Sequence, residues 1–155
     1  VMKYVDVCIA NEEDAEMVFG IKSGSDVEKG EINVEGFKSV AQQLIDRFGL
    51  ELVGSHLRIS RSASDNGWQI VLYDGNEFVK STQYDIHIVD RVGGGDSFAA
   101  GLIYSRLMGK SLQESAEFAA AASCLKQTIP GDFNHVSVKE VESLAAGNTS
   151  GRVKR

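Results

Sequence analysis

Three consecutive glycines, set where an extended segment hands over to a helical one, constrain this 155-residue chain more than any other feature. The stretch reads Asp90-Arg91-Val92-Gly93-Gly94-Gly95-Asp96-Ser97-Phe98-Ala99-Ala100-Gly101. Before it, Tyr84-Asp85-Ile86-His87-Ile88-Val89 alternates in the manner of a half-buried strand. After it, Phe98, Leu102, Ile103 and Leu107 recur at i, i+4, i+5 and i+9, which predicts one apolar helix face. Glycine admits turns closed to other residues and lets a ligand approach the main chain. The first amides of a helix have no internal acceptor, and the helix dipole adds partial positive charge there. Such a turn suits an anion, phosphate above all. Asp96 has two readings: a carboxylate that caps the helix, or a base beside a phosphate that takes a proton from an attacking hydroxyl.

Two common glycine loops are excluded by spacing. Counted from Gly93, the last position of a Gly-x-Gly-x-x-Gly fingerprint falls on Phe98, and Gly95 is followed by Asp96 and Ser97 rather than by Lys and Ser/Thr. Composition narrows the class further. The chain is long enough for one domain with a sizeable core, and 43% hydrophobic with 25% charged residues is ordinary for a globular protein. A net charge of −6 disfavours nucleic acid as a partner. No apolar run approaches a membrane span, and no signal-peptide pattern opens the chain, so a cytoplasmic protein is expected. Cys8 and Cys124 are isolated thiols without a motif, expected to be reduced. His56, His87 and His135 are scattered without metal-ligand spacing.

Residues 4–10 read as a buried strand. Asn11 then caps a short acidic helix that stops at Gly20. Residues 21–33 are polar and read as a surface loop. Val34, Phe37, Val40, Ala41, Leu44, Ile45 and Phe48 mark an amphipathic helix closed by Gly49. A second strand over 50–59, a turn-rich loop over 60–67, and a hairpin around Asp74-Gly75-Asn76 follow. Ser111 with Glu114, and Ser137 with Glu140, are capping boxes that open two later helices. The alanine-rich first of these is suited to close packing or to leaving room for a flat ring. The only proline, in Thr128-Ile129-Pro130-Gly131-Asp132, separates the two. The tail 151–155 is basic, and Asn148-Thr149-Ser150 fits a glycosylation sequon that has no bearing in the cytoplasm. Alternating strands and helices predict an α/β domain with a mostly parallel sheet flanked by helices and interrupted by one β-hairpin, with ligands at the carboxyl ends of the strands.

The string Asp-x-x-Gly-Gly-Gly-Asp-Ser-Phe resembles the C-terminal signature of the PfkB/ribokinase family of sugar kinases, usually Asp-Thr-x-Gly-Ala-Gly-Asp-x-Phe. Arg91 stands here for the Thr or Ser and Gly94 for the alanine. The run 90–102 is most similar to 2-keto-3-deoxygluconate kinases. The resemblance extends over essentially the whole chain and implies the C-terminal half of a ribokinase-like fold, with an N-terminal half carrying the lid and most of the sugar site absent. It implies ATP and Mg²⁺ as cofactors and a sugar acid as substrate, phosphorylated on the 6-hydroxyl of 2-keto-3-deoxygluconate. Asp96 becomes the catalytic base and a substrate contact, and the amides of Gly93, Gly94, Gly95 and Asp96 the anion hole. Asn11 matches the first position of the family's Asn-x-x-Glu motif, whose fourth position here is Asp14, with Glu13 beside it; these are the candidate nucleotide and metal residues. Ser64, Asp65, Asn66 and Gly67 become ATP neighbours, and Ala120 and Ser123, within the 119–123 run, border the adenine. Asp132 becomes a second substrate contact. A half-domain should expose an apolar strand edge, so a homo-oligomer is expected, and the piece by itself should be inactive. Two readings from other classes stay open: a nucleotide- or phosphate-binding module without catalysis, and a structural remnant whose glycine turn is only a turn.

Overall fold

A computed structural model describes residues 1–22 and 34–147. Most of the polar 21–33 segment, the sequon and the basic tail lie outside the described residues. Among the described residues, ten regular elements follow a one-turn 3₁₀ segment at Met2–Tyr4: β1 Val7–Ile9, α1 Glu12–Phe19, α2 Val34–Phe48, β2 Leu52–Ser60, β3 Asp65–Tyr73, β4 Phe78–Lys80, β5 Tyr84–His87, α3 Gly94–Leu107, α4 Leu112–Gln127 and α5 Val138–Ala145.

The local signals place most of these elements, but the buried strand read over 4–10 is only Val7–Ile9, with Val7 and Ile9 exposed. Asn11 accepts from the Asp14 amide while Asp14 accepts from the Asn11 amide, and the Ser111/Glu114 and Ser137/Glu140 boxes close in the same way. Asp74 Oδ1 accepts from the amides of Asn76 and Glu77 at 2.9 and 2.7 Å, which fixes the β3–β4 hairpin.

The sheet is α/β but mixed, which corrects the expectation of mostly parallel strands. β1 pairs β2 in parallel, whereas β3 pairs β2, β4 and β5 antiparallel. The connections explain the difference. Only β1 and β2 are joined by a helical crossover, which parallel pairing requires; residues 61–64 are far too few to return the chain for a parallel β3. β4 and β5 lie along one edge of β3 in succession. At the break between them, Ser81 Oγ accepts the Ile70 amide at 2.9 Å and the Ser81 amide donates to the Ile70 carbonyl at 2.9 Å. Two antiparallel steps restore direction, so β5 runs the same way as β1 and β2. The carboxyl ends of all three therefore point to one side of the sheet, where the Asn11 turn, the 61–64 turn and the glycine turn follow them.

Each face of the sheet carries its own core. On one, Phe37, Val40, Ala41 and Leu44 of α2 pack over Val53, Val71 and Tyr73, with Ala15 and Ile21. On the other, Phe98 and Leu102 of α3 and the alanines of α4 cover Leu52, Trp68, Ile70 and Leu72. Burying one side chain such as Phe98, at 0% exposure, contributes about 1.5–3 kcal/mol. Gly54 lets α3 approach: a β-carbon there would meet Leu72 Cδ2 at 2.9 Å and Phe98 Cζ at 3.2 Å. The buried face of α3 is Gly94, Ser97, Phe98, Gly101, Leu102 and Ser105. Ile103 and Leu107, expected on it, are 58% and 77% exposed. Small residues rather than large ones face α4, because the helices sit so close that a β-carbon on Gly101 would come 3.0 Å from Ala119 Cα.

Candidate functional site

Gly93 caps α3 with φ 82° and ψ −4°, a left-handed conformation that suits glycine. Ser97 donates the first helical bond, to the Gly93 carbonyl at 2.9 Å, and the Gly94 amide closes a turn on the Arg91 carbonyl at 3.2 Å. The amides of Gly93, Gly95 and Asp96 find no acceptor among the described residues. Of the four amides expected to form the anion hole, Gly94 is thus already engaged and belongs to the scaffold. Its carbonyl is held from below by Ser123 Oγ at 2.8 Å, and a β-carbon on Gly94 would come 3.2 Å from Gln127 Cγ.

Asp96 sits in the first turn of α3 with its side chain exposed. It lines a groove of about 440 Å³ together with Gly93, Ser97, Asp132 and Phe133; Tyr104, Phe118, Val136 and Val141 form its apolar wall. Asp132 reaches this groove because the 128–132 turn folds back on Gly93. Asn134, which no local motif announced, fastens the following segment. Its Nδ2 donates to Ser97 Oγ at 3.1 Å and to the Ala122 carbonyl at 3.4 Å, and its Oδ1 accepts the Val136 amide at 3.1 Å. A carboxylate, a helix N-terminus with open amides and a second carboxylate-bearing turn therefore meet at one opening. Charge and chemistry suit a phosphorylated ligand and a hydroxyl to be deprotonated.

The sequence profile of the pfkB family of carbohydrate kinases matches residues 1–136. The chain belongs to that family. Among solved structures it is similar to the 2-dehydro-3-deoxygluconokinase of Thermotoga maritima, with 51% identity and a TM-score of 0.85 over 94% of this chain and 43% of that one. It is also similar to a PfkB family carbohydrate kinase of Listeria grayi, with 33% identity and a TM-score of 0.78 over 94% of this chain and 42% of that one. A 2-dehydro-3-deoxygalactonokinase of Haloferax volcanii is 27% identical over 77 residues, which is 50% of this chain and 24% of that protein. The chain thus spans less than half the length of each of these relatives.

Within this pfkB-family chain the remaining candidate residues divide sharply. Asp14 spends one carboxylate oxygen on the Asn11 amide at 3.1 Å, and Asn11 spends its side-chain oxygen on the Asp14 amide at 2.7 Å. The second Asp14 oxygen stays outside the capping box. Asp14 also stands near enough to His56 and Cys8 to act on both electrostatically. Glu13 is exposed and has no polar partner among the described residues. No group of three metal-ligating side chains occurs among the described residues. A Mg²⁺ that arrives on nucleotide phosphates keeps most of its waters and needs only one or two protein oxygens. The free Asp14 oxygen fits that limited requirement.

The 60–67 segment, read as a loop, is half strand. β3 already begins at Asp65, because pairing with both β2 and β5 overrides the polar composition. Asp65 accepts from His87 Nδ1 at 2.8 Å and from Ser62 Oγ at 3.0 Å, and these two bonds hold its carboxyl below the usual carboxylate range, His87 foremost. The Ser64 carbonyl accepts the Ile88 amide at 2.6 Å. Gly67 lies inside the sheet against Ile59 and the Gln83 amide. Asn66 is 1% exposed, and neither polar atom of its side chain has a partner among the described residues. Arg91, standing where the family has Thr or Ser, reaches across to the Ala63 carbonyl and ties this hairpin to the glycine turn.

On α4, Ala120 and Ser123 are both 0% exposed. Neither borders open space, which corrects their expected place at an adenine. Ser123 acts instead through Gly94, and the α4 residues that do face the groove are Phe118 and Ala122.

Proposed function

We propose that this chain forms the catalytic portion of an ATP-dependent sugar-acid kinase acting on the 6-hydroxyl of 2-keto-3-deoxygluconate, and that activity requires the complete protein. The observation that carries the reading is the exposed Asp96 carboxylate beside the open amides of Gly95 and its own residue. The family and the 51% identity to a 2-dehydro-3-deoxygluconokinase support the substrate class.

Phosphoryl transfer asks a protein chiefly for positioning and charge stabilisation. The amides of Gly93, Gly95 and Asp96 would hold the transferring phosphoryl oxygens as negative charge shifts onto them, each worth about 2.7–4 kcal/mol. Asp96 would accept the proton of the attacking hydroxyl. Asp132 would orient a second substrate hydroxyl from across the groove, and Phe118, Tyr104 and Val136 would keep water from its apolar wall. Mg²⁺, when bound to the nucleotide phosphates, would neutralise their charge, and Asp14 is the residue fitted to hold it, through water.

The test is Asp96→Asn in the complete enzyme. The expected result is a kcat lowered by at least about 10²-fold with ATP affinity nearly unchanged. Equal turnover of variant and parent would remove Asp96 from the role of base. For the 155-residue chain itself, calorimetry with ATP and Mg²⁺ should show binding without turnover.

A further inference from the structure

Lys126 is the one charged side chain wholly buried among the described residues, at 0% exposure in the last turn of α4. A lysine in that position can favour the helix dipole from the surface, so burial needs a separate reason. A buried ammonium is tolerated where oxygens surround it. Lys126 Nζ donates to the Ile129 carbonyl at 3.3 Å, and it forms no ion pair among the described residues. Its Cε lies 3.0 Å from the place a β-carbon on Gly93 would take. Its charge also reaches Asp90, whose carboxyl is held below the usual range chiefly by the amides of Val92 and Gly131 and additionally by Lys126.

Asp90 stands beyond ion-pair distance of this ammonium but ties together the same turns. One oxygen accepts the Val92 amide at 3.0 Å and the other the Gly131 amide at 3.0 Å, so the approach to the glycine turn and the 128–132 turn share one carboxylate. The Gln127 carbonyl adds two more stitches, accepting from Val89 at 2.9 Å and Asp90 at 3.2 Å. We propose that Lys126 is a positioning residue whose buried ammonium serves as a fixed internal cation, holding the 128–132 turn through the Ile129 carbonyl and setting Gly93 so that the Gly95 and Asp96 amides stay open. The catalytic consequence rests on the kinase reading above; the positioning does not.

The two are separable by experiment. Lys126→Met keeps the length of the side chain without the charge, and replacing a buried charge by an apolar group is often neutral for stability. In the full 155-residue chain, hydrogen exchange at the Gly94 and Gly131 amides should become about tenfold to a hundredfold faster in Lys126→Met, the loss expected for bonds that depend on a charged group. Exchange in α2, on the opposite face of the sheet, should not change. Lys126→Arg should retain protection, and ethylammonium in solution should restore it to Lys126→Ala. Unchanged exchange at Gly94 and Gly131, acceleration spread evenly over the chain, global unfolding of the Met variant, or failure of both Arg and ethylammonium to restore protection would each overturn the proposal. In the complete enzyme, Lys126→Met should lower kcat more than it raises the KM for ATP. If the parent enzyme shows no turnover, the kinase reading fails while the exchange result still decides the role of Lys126.

Discussion

The carbonyl oxygen of Asp132 occupies the space that a β-carbon on Gly93 would need. The two turns that frame the groove are therefore in backbone contact, and no side chain can stand between them. Gly93 is constrained twice, by this approach and by its φ of 82°. Gly93→Ala should destabilise the chain by at least about 2 kcal/mol, since left-handed backbone alone costs a residue with a β-carbon roughly 1–2 kcal/mol. Urea unfolding measures it; a midpoint equal to that of the parent would show that the turns can part without cost.

Ser123 offers a milder cut at the same place. Ser123→Ala leaves the Gly94 carbonyl without the 2.8 Å bond it now accepts in a buried position. A loss of about 1–3 kcal/mol in unfolding free energy is expected, together with weaker binding of ATP. A fully stable variant with unaltered ATP binding would show that the bond supports neither the fold nor the turn.

Acid should weaken the fold in two separate windows. Burial, and secondarily Arg58, lower the His56 pKa from 6.5, with Asp14 opposing. The unfolded chain therefore takes up a proton that the folded chain resists. Stability should be level above pH 6.5 and fall as pH drops from there toward the lowered value. The Asp65 carboxyl is depressed below 3.8, so its contribution is present above that pH and is lost only as pH falls through the folded value. Thermal midpoints against pH test this: His56→Phe, which keeps the 4.7 Å stack on Trp68, should flatten the upper window and leave the lower one. An unchanged upper slope would assign it to another group.

The two thiols should differ in reactivity. Burial pushes the Cys124 pKa up to about 12, and the side chain is 5% exposed. Cys8 is only half-buried, although burial and Asp14 raise its pKa as well. Since the thiolate is the reactive form, a colorimetric disulfide reagent should modify Cys8 first and Cys124 only as the chain unfolds. Rapid modification of both would show that α4 opens readily.

What the sequence made legible follows from how local each signal is. Capping boxes, the hairpin at Asp74 and the strand-to-helix glycine turn are written within a few residues, and all stand where they were read. Strand direction is not local: the parallel expectation failed because the 61–64 connection is short, and strand pairing drew Asp65 to Gly67 out of a segment whose composition reads as loop. The site divides along the same line. Asp96, Asp132 and the glycine turn lie in a motif or beside a proline, and they do share one groove. Asn134, Lys126 and the Arg91 reach to Ala63 are single residues whose meaning comes from partners 28 to 41 positions away or from burial, as the Asp90–Gly131 bond also does. Ala120 and Ser123 misled for a related reason. An alanine-rich helix reads equally as a slot for a ring or as a tight seam, and Gly101 on α3 decides for the seam.

The bond from Arg91 to the Ala63 carbonyl makes a lever of the β2–β3 hairpin. A displacement at its tip is carried by one guanidinium to the residue two places before Gly93. The far arm of the sheet is thus tied to the start of α3 by a path that bypasses the core between them.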